Sequence, residues 1–426
     1  MSFHRRAFFA TAVFALPLFA AAAEPAPEPG VVADELRAKA LAGDAEAQLE
    51  LADEYLFGRN RPGNPVLAAY WYRKAAEQGN ATARYDLGCC YEYGWGVEKC
   101  RHQALELYRK AAEQGLAAAA VRRAHLIYSG IPAEDLGLRH FPELPPDKEE
   151  ALRELRRLCT ANYAPAKLEL ALLLCDDPAL RKDHAEEIGR LAREAAEAPG
   201  AAVAAKLFYA RCLRHGIGVI TDPAQAFKLY KEAAEAGDPS GMAAYGRMLE
   251  FGMGAKPAPE QALKLYKKAA ELGDPSGMVF LGDRLLADGD TETAYSWYSK
   301  AAKLDYGPAC AKAGDCLASG WGVPADPQAA LELYEQGAKL GDAGSQYKLG
   351  KCLAEGRGAK PDPAAAVFWY KCAGANGNRD AVRELGAAML YGRGVPADPA
   401  EGRRLLEAAA KAGDPEAAAI LNGEVR

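Results

Sequence analysis

The sequence has no surplus of positive charge: 52 Lys and Arg stand against 58 Asp and Glu, a formal net charge of -6. Nucleic-acid binding needs clustered cations to neutralise phosphates, so no nucleic acid is expected as a partner. Histidine is scarce, with six residues in all. His102, His125, His140, His184 and His215 show neither an H-E-x-x-H run nor paired-cysteine spacing. No metal site and no cofactor is therefore expected. Beyond the first two dozen residues no apolar run could span a bilayer, so the mature chain should have no transmembrane segment.

The N-terminus reads as an export signal. His4, Arg5 and Arg6 form a basic start, Ala7 to Phe19 an apolar stretch, and Ala21-Ala22-Ala23 a small-residue cleavage site before Glu24. That layout predicts a signal peptide over 1–23, and the apolar stretch is too short for a spanning helix. Arg5-Arg6-Ala7-Phe8-Phe9 resembles a twin-arginine signal, although His4 and Ala10 depart from that pattern. The general and twin-arginine routes both stay open. Pro25, Pro27 and Pro29 make a proline-rich lead-in over 24–33. The destination expected is the periplasm or the exterior.

The rest of the chain is dominated by one recurring pattern. It reads AAYWYRKAAEQG at 68–79, ALELYRKAAEQG at 104–115, AFKLYKEAAEAG at 226–237 and ALKLYKKAAELG at 262–273. Further copies start at 294, 330, 366 and 402, with weaker ones at 151 and 187. The fifth position falls at Tyr72, Tyr108, Leu155, Leu191, Tyr230, Tyr266, Tyr298, Tyr334, Tyr370 and Leu406, and six of the nine intervals are 36 residues. Apolar residues at positions 1, 4, 5, 8 and 9 follow helical spacing, and the closing Gly ends the helix.

A second helical segment precedes each copy. It ends in pairs such as Leu87-Gly88, Tyr245-Gly246 and Leu349-Gly350, then in turns such as Gly94-Trp95-Gly96 and Gly252-Met253-Gly254. Asp-Pro often opens the next helix, where the missing N–H of proline costs nothing. One such pair cannot bury its own apolar face, so stacked neighbours must bury each other's. The fold class expected is all-α: an α/α solenoid of about ten helix-turn-helix units, forming one domain over 34–426. Repeats at 115–200 diverge, and 130–147 is an insert.

The Leu-Gly pair, the Gly-x-Gly turn and the (Trp/Leu)-Tyr-x-Lys-Ala-Ala-x-x-Gly segment resemble Sel-one-like repeats, relatives of the tetratricopeptide repeat. Plain tetratricopeptide repeats have a shorter, 34-residue period. The resemblance implies a right-handed superhelix acting as a non-enzymatic scaffold or adaptor, often in bacterial envelopes. Some cysteine-rich secreted relatives are associated with penicillin binding, which makes Ser345-Gln346-Tyr347-Lys348, an S-x-x-K match, the basis of an alternative hydrolase reading. The companion S-D-N and K-T-G motifs are absent. A third reading, an adaptor bound to cell-wall polymer, rests on Trp95 and Trp321 in equivalent turns. The Gly-x-Gly turns do not read as nucleotide loops, because no strand precedes them and no third Gly follows at the required spacing.

Export makes disulfides possible for the ten cysteines. Cysteine-rich relatives bridge successive repeats through cysteines eight residues apart. Cys159 and Cys310 match that framework, but their would-be partners are Lys167 and Ala302. Cys90, Cys212, Cys316 and Cys352 share one position beside the core and read as small apolar residues. The bridges to consider are Cys90 (or Cys89) with Cys100, and Cys159 with Cys175.

A protein or peptide partner is expected in the solenoid groove. Counting the Gly of Gly-Asp as the first position, positions 8, 11 and 15 share one face of the first helix. They supply a mixed stripe of charged and aromatic residues suited to protein recognition. The candidates are Arg211, Arg247, Phe251, Asp315, Lys351, Tyr93 and Tyr391, with Arg211, Arg247 and Phe251 forming one cluster. The insert either packs onto its own repeat, caps a neighbouring groove, or presents Phe141-Pro142 to a partner.

Overall fold

A computed structural model describes residues 35–136 and 139–423, with side chains described outside 134–140. The expected signal peptide and proline-rich lead-in lie outside the described residues. The chain divides into two compact units, one up to Ala205 and one from Lys206.

In the first unit, α1 (Glu35–Leu41) precedes the pairs α2 (Ala45–Phe57) with α3 (Pro65–Glu77) and α4 (Ala81–Tyr93) with α5 (Arg101–Glu113). Next come α6 (Ala117–Ser129), the strands β1 (Glu134–Leu136) and β2 (Arg139–Phe141), and α7 (Lys148–Thr160). Then follow α8 (Ala164–Asp176), the short α9 (Pro178–Asp183) and α10 (Ala185–Glu197). Helix α11 (Val203–His215) leads into the second unit and is followed by α12 (Pro223–Glu235), α13 (Pro239–Phe251) and α14 (Pro259–Glu271). The series continues with α15 (Pro275–Ala287), α16 (Thr291–Ala302), α17 (Gly307–Ser319), α18 (Pro327–Lys339), α19 (Ala343–Glu355) and α20 (Pro363–Ala375). It ends with α21 (Arg379–Tyr391), α22 (Pro399–Lys411) and α23 (Pro415–Leu421). The expected helical pairs are all present, including those of the divergent stretch.

Local chemistry sets these boundaries. Asp222, Asp326, Asp362 and Asp398 each accept a backbone N–H from the first turn of the helix they precede, and Pro takes the next position. Asp44, Asn80, Asp238, Asp342 and Asn378 do the same for first helices. The Leu-Gly and Tyr-Gly pairs exist because a tyrosine ring lies on the glycine. A Cβ on Gly88, Gly246, Gly282, Gly314 or Gly350 would stand 2.5 to 2.8 Å from Cε1 of Tyr108, Tyr266, Tyr298, Tyr334 or Tyr370. These tyrosines are almost wholly buried, and each burial of such a ring contributes roughly 2 kcal/mol or more.

Within the second unit, first helices α13, α15, α17 and α19 also touch their neighbours in the row.

The insert departs from a purely helical chain. β1 and β2 pair antiparallel, and Ile131 bridges Leu144 with hydrogen bonds in both directions. Asp147 then caps α7. His102 of α5 stacks on Phe141 at 5.3 Å, and its Nε2 lies 2.7 Å from the Pro142 carbonyl. The insert therefore covers the neighbouring pair and also packs on its own repeat, where Ile131 and Leu144 join the cluster containing Leu126 and the Asp147 N–H donates to the Ile127 carbonyl at 2.9 Å. Among the described residues no helix is long and apolar enough to cross a membrane.

Turn glycines add a second restraint between repeats. Gly254 has φ +78°, and a Cβ there would fall 2.3 Å from the Pro223 carbonyl oxygen at the start of α12. Gly237 has a similar φ of +86° but open space around it. Gly237→Ala should cost about 1 kcal/mol for the left-handed backbone alone. Gly254→Ala should cost about 3 kcal/mol or more, because backbone must also move aside. Urea unfolding of both variants checks the difference, and equal midpoints would show that the turn does not press on α12.

Candidate functional site

The face carrying positions 11 and 14 of the first helices is built around the tyrosine hydroxyls. Tyr72 donates to Asp53 at 2.6 Å, Tyr108 to Glu92 at 2.7 Å, Tyr266 to Glu250 at 2.9 Å, Tyr298 to Asp283 at 2.7 Å and Tyr334 to Asp315 at 2.9 Å. Each acid stands on the first helix of the same repeat. A cation from the next first helix often completes the group. Lys312 lies 2.8 Å from Asp283, Lys348 lies 2.8 Å from Asp315, and Arg122 pairs with Glu92. Burial first, and then the adjacent carboxylate, pushes the Tyr334 hydroxyl far above its ordinary range, so it stays a donor. These rungs of tyrosine, acid and base hold the scaffold together.

They also change the reading of Asp315. The sequence places it on the groove face, and the structure commits its carboxylate to Tyr334 and Lys348. Asp315 is a scaffold residue, because position 11 points at the hydroxyl of its own repeat. The sequence carried a usable signal. Asp53 and Asp315 precede their tyrosines by 19 residues, and Glu92 and Glu250 precede theirs by 16.

One rung of the second unit is reversed. Before Tyr230, the two positions that elsewhere hold the acid are Arg211 and Arg214, and the next first helix offers Ala244 instead of a charged residue. The Arg211 guanidinium lies over the Phe208 ring at 4.8 Å. Arg247 lies over Phe280 at 4.8 Å and over Phe251 at 5.7 Å. Arg214 donates to His215 Nε2 at 3.0 Å. Burial, with Arg214, Arg211 and Arg247 nearby, holds His215 below its usual value. Phe251 is 62% exposed. The structure therefore places Arg247 beside Phe251 and Phe280, and Arg211 over Phe208 one helix earlier.

The remaining candidates are dispersed. Tyr93 stacks on Trp95 at 4.9 Å and accepts from Arg122 at 2.6 Å, while Arg393 lies over Tyr391 at 5.1 Å. Lys351 stands 19 residues before Tyr370, the position of an acid elsewhere, but Glu355 lies 3.8 Å away and Glu384 acts on Tyr370. Ser345 is fully buried against Gly337, its hydroxyl 3.3 Å from the Gly307 carbonyl, and Lys348 is turned to Asp315. A serine in that position cannot reach a substrate, so the hydrolase alternative has no geometric support.

The structure holds all ten cysteines as thiols, without the Cys90–Cys100 or Cys159–Cys175 bridge. Cys100 instead caps α5, its sulfur accepting the Gln103 N–H at 3.5 Å. Burial pushes Cys89 up to about 12 and Cys159 up to about 11, so neither is a reactive thiolate at neutral pH. Beside the insert, Leu87, Tyr91, His102, Phe141, Pro142 and Leu144 line an apolar cavity of about 490 Å³.

The Sel1 repeat family model matches residues 45–80, 81–116, 203–238, 239–274, 275–306, 307–342, 343–378 and 379–414. The chain belongs to the Sel1 repeat family. Sel1 repeat proteins are generally protein–protein interaction scaffolds, and the fold is an α/α solenoid. Among solved structures, a Sel1 repeat protein from Oxalobacter formigenes shares 36% identity over 54% of this chain and 98% of that one, at TM-score 0.46. A protective antigen of uropathogenic Escherichia coli displaying an SLR fold shares 25% identity over 93% of this chain and 91% of that one, at TM-score 0.44. No curated protein matches. Residues 117–202 escape the family model, yet α6 to α10 continue the helical series there.

The rung makes a thermodynamic prediction. Tyr334→Phe should destabilise the protein by about 1–2 kcal/mol, because the charged acceptor loses its donor. A double-mutant cycle with Asp315→Ala should give a coupling of about 1 kcal/mol. Chemical denaturation measures it, and strict additivity would mean that the hydrogen bond contributes nothing.

Proposed function

We propose that this Sel1 repeat protein is a non-enzymatic scaffold of the bacterial envelope that binds a protein or peptide along its first helices. One observation carries the reading. Acids on that face are largely committed to internal rungs, whereas Arg211, Arg214, His215, Arg247 and the exposed Phe251 stand on α11 and α13. Arginine beside an exposed aromatic supplies the anchors that protein interfaces favour. Export is supported by the first 23 residues, and the periplasm or exterior is the destination proposed.

A photo-crosslinking residue at Phe251 should capture a discrete partner in cells. The same group at Phe368, which is 57% exposed on the second helix α20, should capture none. Equal capture from both positions, or none from Phe251, would count against the groove. Intact mass of the exported protein should correspond to a chain beginning at Glu24, and a retained N-terminus would remove the export part of the reading.

A further inference from the structure

Several second helices end in a turn that a polar side chain ties to the repeat before. Gln78 donates to Gln48 at 2.8 Å, Gln114 to the Gly79 carbonyl at 2.9 Å and Asn376 to the Gly341 carbonyl at 3.4 Å. All three stand at position eleven of the recurring twelve-residue pattern. In the consecutive copies at 262–273, 294–305 and 330–341, that position holds Leu272, Leu304 and Leu340. A leucine cannot make the tie, and these three stay in water, 51%, 40% and 44% exposed.

The three turns are neighbours. Gln336 of α18 donates to the Ala302 carbonyl at 3.2 Å and to Asp305 at 3.1 Å, on either side of Leu304. Ala270 and Ala302, at the ends of α14 and α16, share one buried cluster. With helices packed about 10 Å apart, the leucines form a row roughly 20 Å long. No wall rises beside it, because a Cβ on Gly273 or Gly341 would meet nothing within 4 Å. The row is a ridge.

Lysines line this ridge. Lys268 and Lys300 precede Leu272 and Leu304 by one helical turn, and Lys303 and Lys339 stand directly before Leu304 and Leu340. Positions six to twelve of the three copies hold five lysines and three acids. Among the described residues, none of these lysines has a carboxylate within 4.0 Å, whereas Lys312 and Lys348 on the first helices are both paired.

We propose that this ridge rests on the surface of a bilayer containing anionic lipid. Leu272, Leu304 and Leu340 enter the boundary between headgroups and acyl chains, and the lysines reach the headgroup phosphates. The idea goes beyond the scaffold reading and does not depend on it. Shape and charge together select the occupant. A convex ridge gives a peptide nothing to lie in, while a bilayer meets all three turns at once. Two copies joined ridge to ridge would set lysine against lysine. Lysine stems cover apolar surface while their ammonium groups stay among the headgroups. No bond is made or broken, and the contact is shallow and reversible.

The purified full chain is sedimented with vesicles of phosphatidylethanolamine and phosphatidylglycerol, with phosphatidylcholine vesicles and a polyglutamate resin for comparison. It should bind the anionic vesicles, and the phosphatidylcholine vesicles at least about tenfold more weakly, the effect of losing two or more lysine contacts. The variant combining Leu272→Gln, Leu304→Gln and Leu340→Gln carries the residue type that Gln78 and Gln114 place there, so its thermal midpoint should hold. Its binding should fall at least about tenfold. The variant combining Lys268→Gln, Lys303→Gln and Lys339→Gln should fall by a similar factor and lose most of its salt dependence. Leu41→Gln, at an exposed leucine on α1, should change nothing. Every variant keeps the apolar residues 7–19, so their contribution is common to all.

Absence of binding to anionic vesicles, equal binding to phosphatidylcholine, or undiminished binding by the leucine variant would overturn the proposal. Retention on polyglutamate with vesicles left unbound would overturn it in favour of an acidic protein. A dimer that the leucine variant splits would overturn it in favour of a second copy. If the leucine variant lowers the thermal midpoint, the lysine variant, altered only at exposed side chains, decides the matter. Capture from Phe251 should persist in the leucine variant, so the scaffold reading and the lipid ridge fail separately.

Discussion

A tyrosine ring packed against a glycine, with its hydroxyl bound to an acid on the same helix as that glycine, sets the spacing of everything else here. Any side chain at Gly314 would push Tyr334 away, and the hydroxyl would then miss Asp315. The glycine, the ring and the carboxylate form one constraint shared by a helix pair. Small residues around it follow from the same closeness, since Ala269 and Ala301 leave no gap between neighbouring helices. A larger residue at either place would force off-rotamer packing in two repeats at once.

Much of this was readable in one dimension. The period, the caps and the Gly-x-Gly turns are local features, and local chemistry dictated them as expected: Asp398 and Pro399 open α22, and Gly392 ends α21. The face of the first helix was also legible, but its division of labour was not. Asp315 and Arg247 stand at the same position of their repeats, and the residue at the equivalent of position 8 in the next repeat decides which one is tied down. Lys348 follows Asp315 and clamps it, whereas Phe280 follows Arg247 and leaves its charge available. That distinction needs pairs of repeats read together.

The insert was legible as an exception and not as a shape. Its ribbon forms because Ile131 and Leu144 bring the two ends together, so the intervening residues can only return on themselves. What anchors it is His102, which lies 40 residues before Pro142 and gives no local hint of the contact. Cysteine was misleading for a related reason. Sequence proximity suggested Cys90 with Cys100, but a capping position consumed the second sulfur.

The turn glycines tie successive repeats from outside the core. Gly96, Gly322, Gly358 and Gly394 press on Pro65, Thr291, Pro327 and Pro363 as Gly254 presses on Pro223, each touching the start of the preceding second helix. The shortened turn after α15 runs through Asp288, Gly289 and Asp290 and has no such glycine to set on Pro259. The junction between the α13–α14 pair and the α15–α16 pair is therefore held without a turn glycine, by its core, by the Ser240 hydroxyl donating to Asp274 at 2.6 Å and by Arg247 lying over Phe280. A substitution among those contacts loosens this joint with no outer turn to compensate.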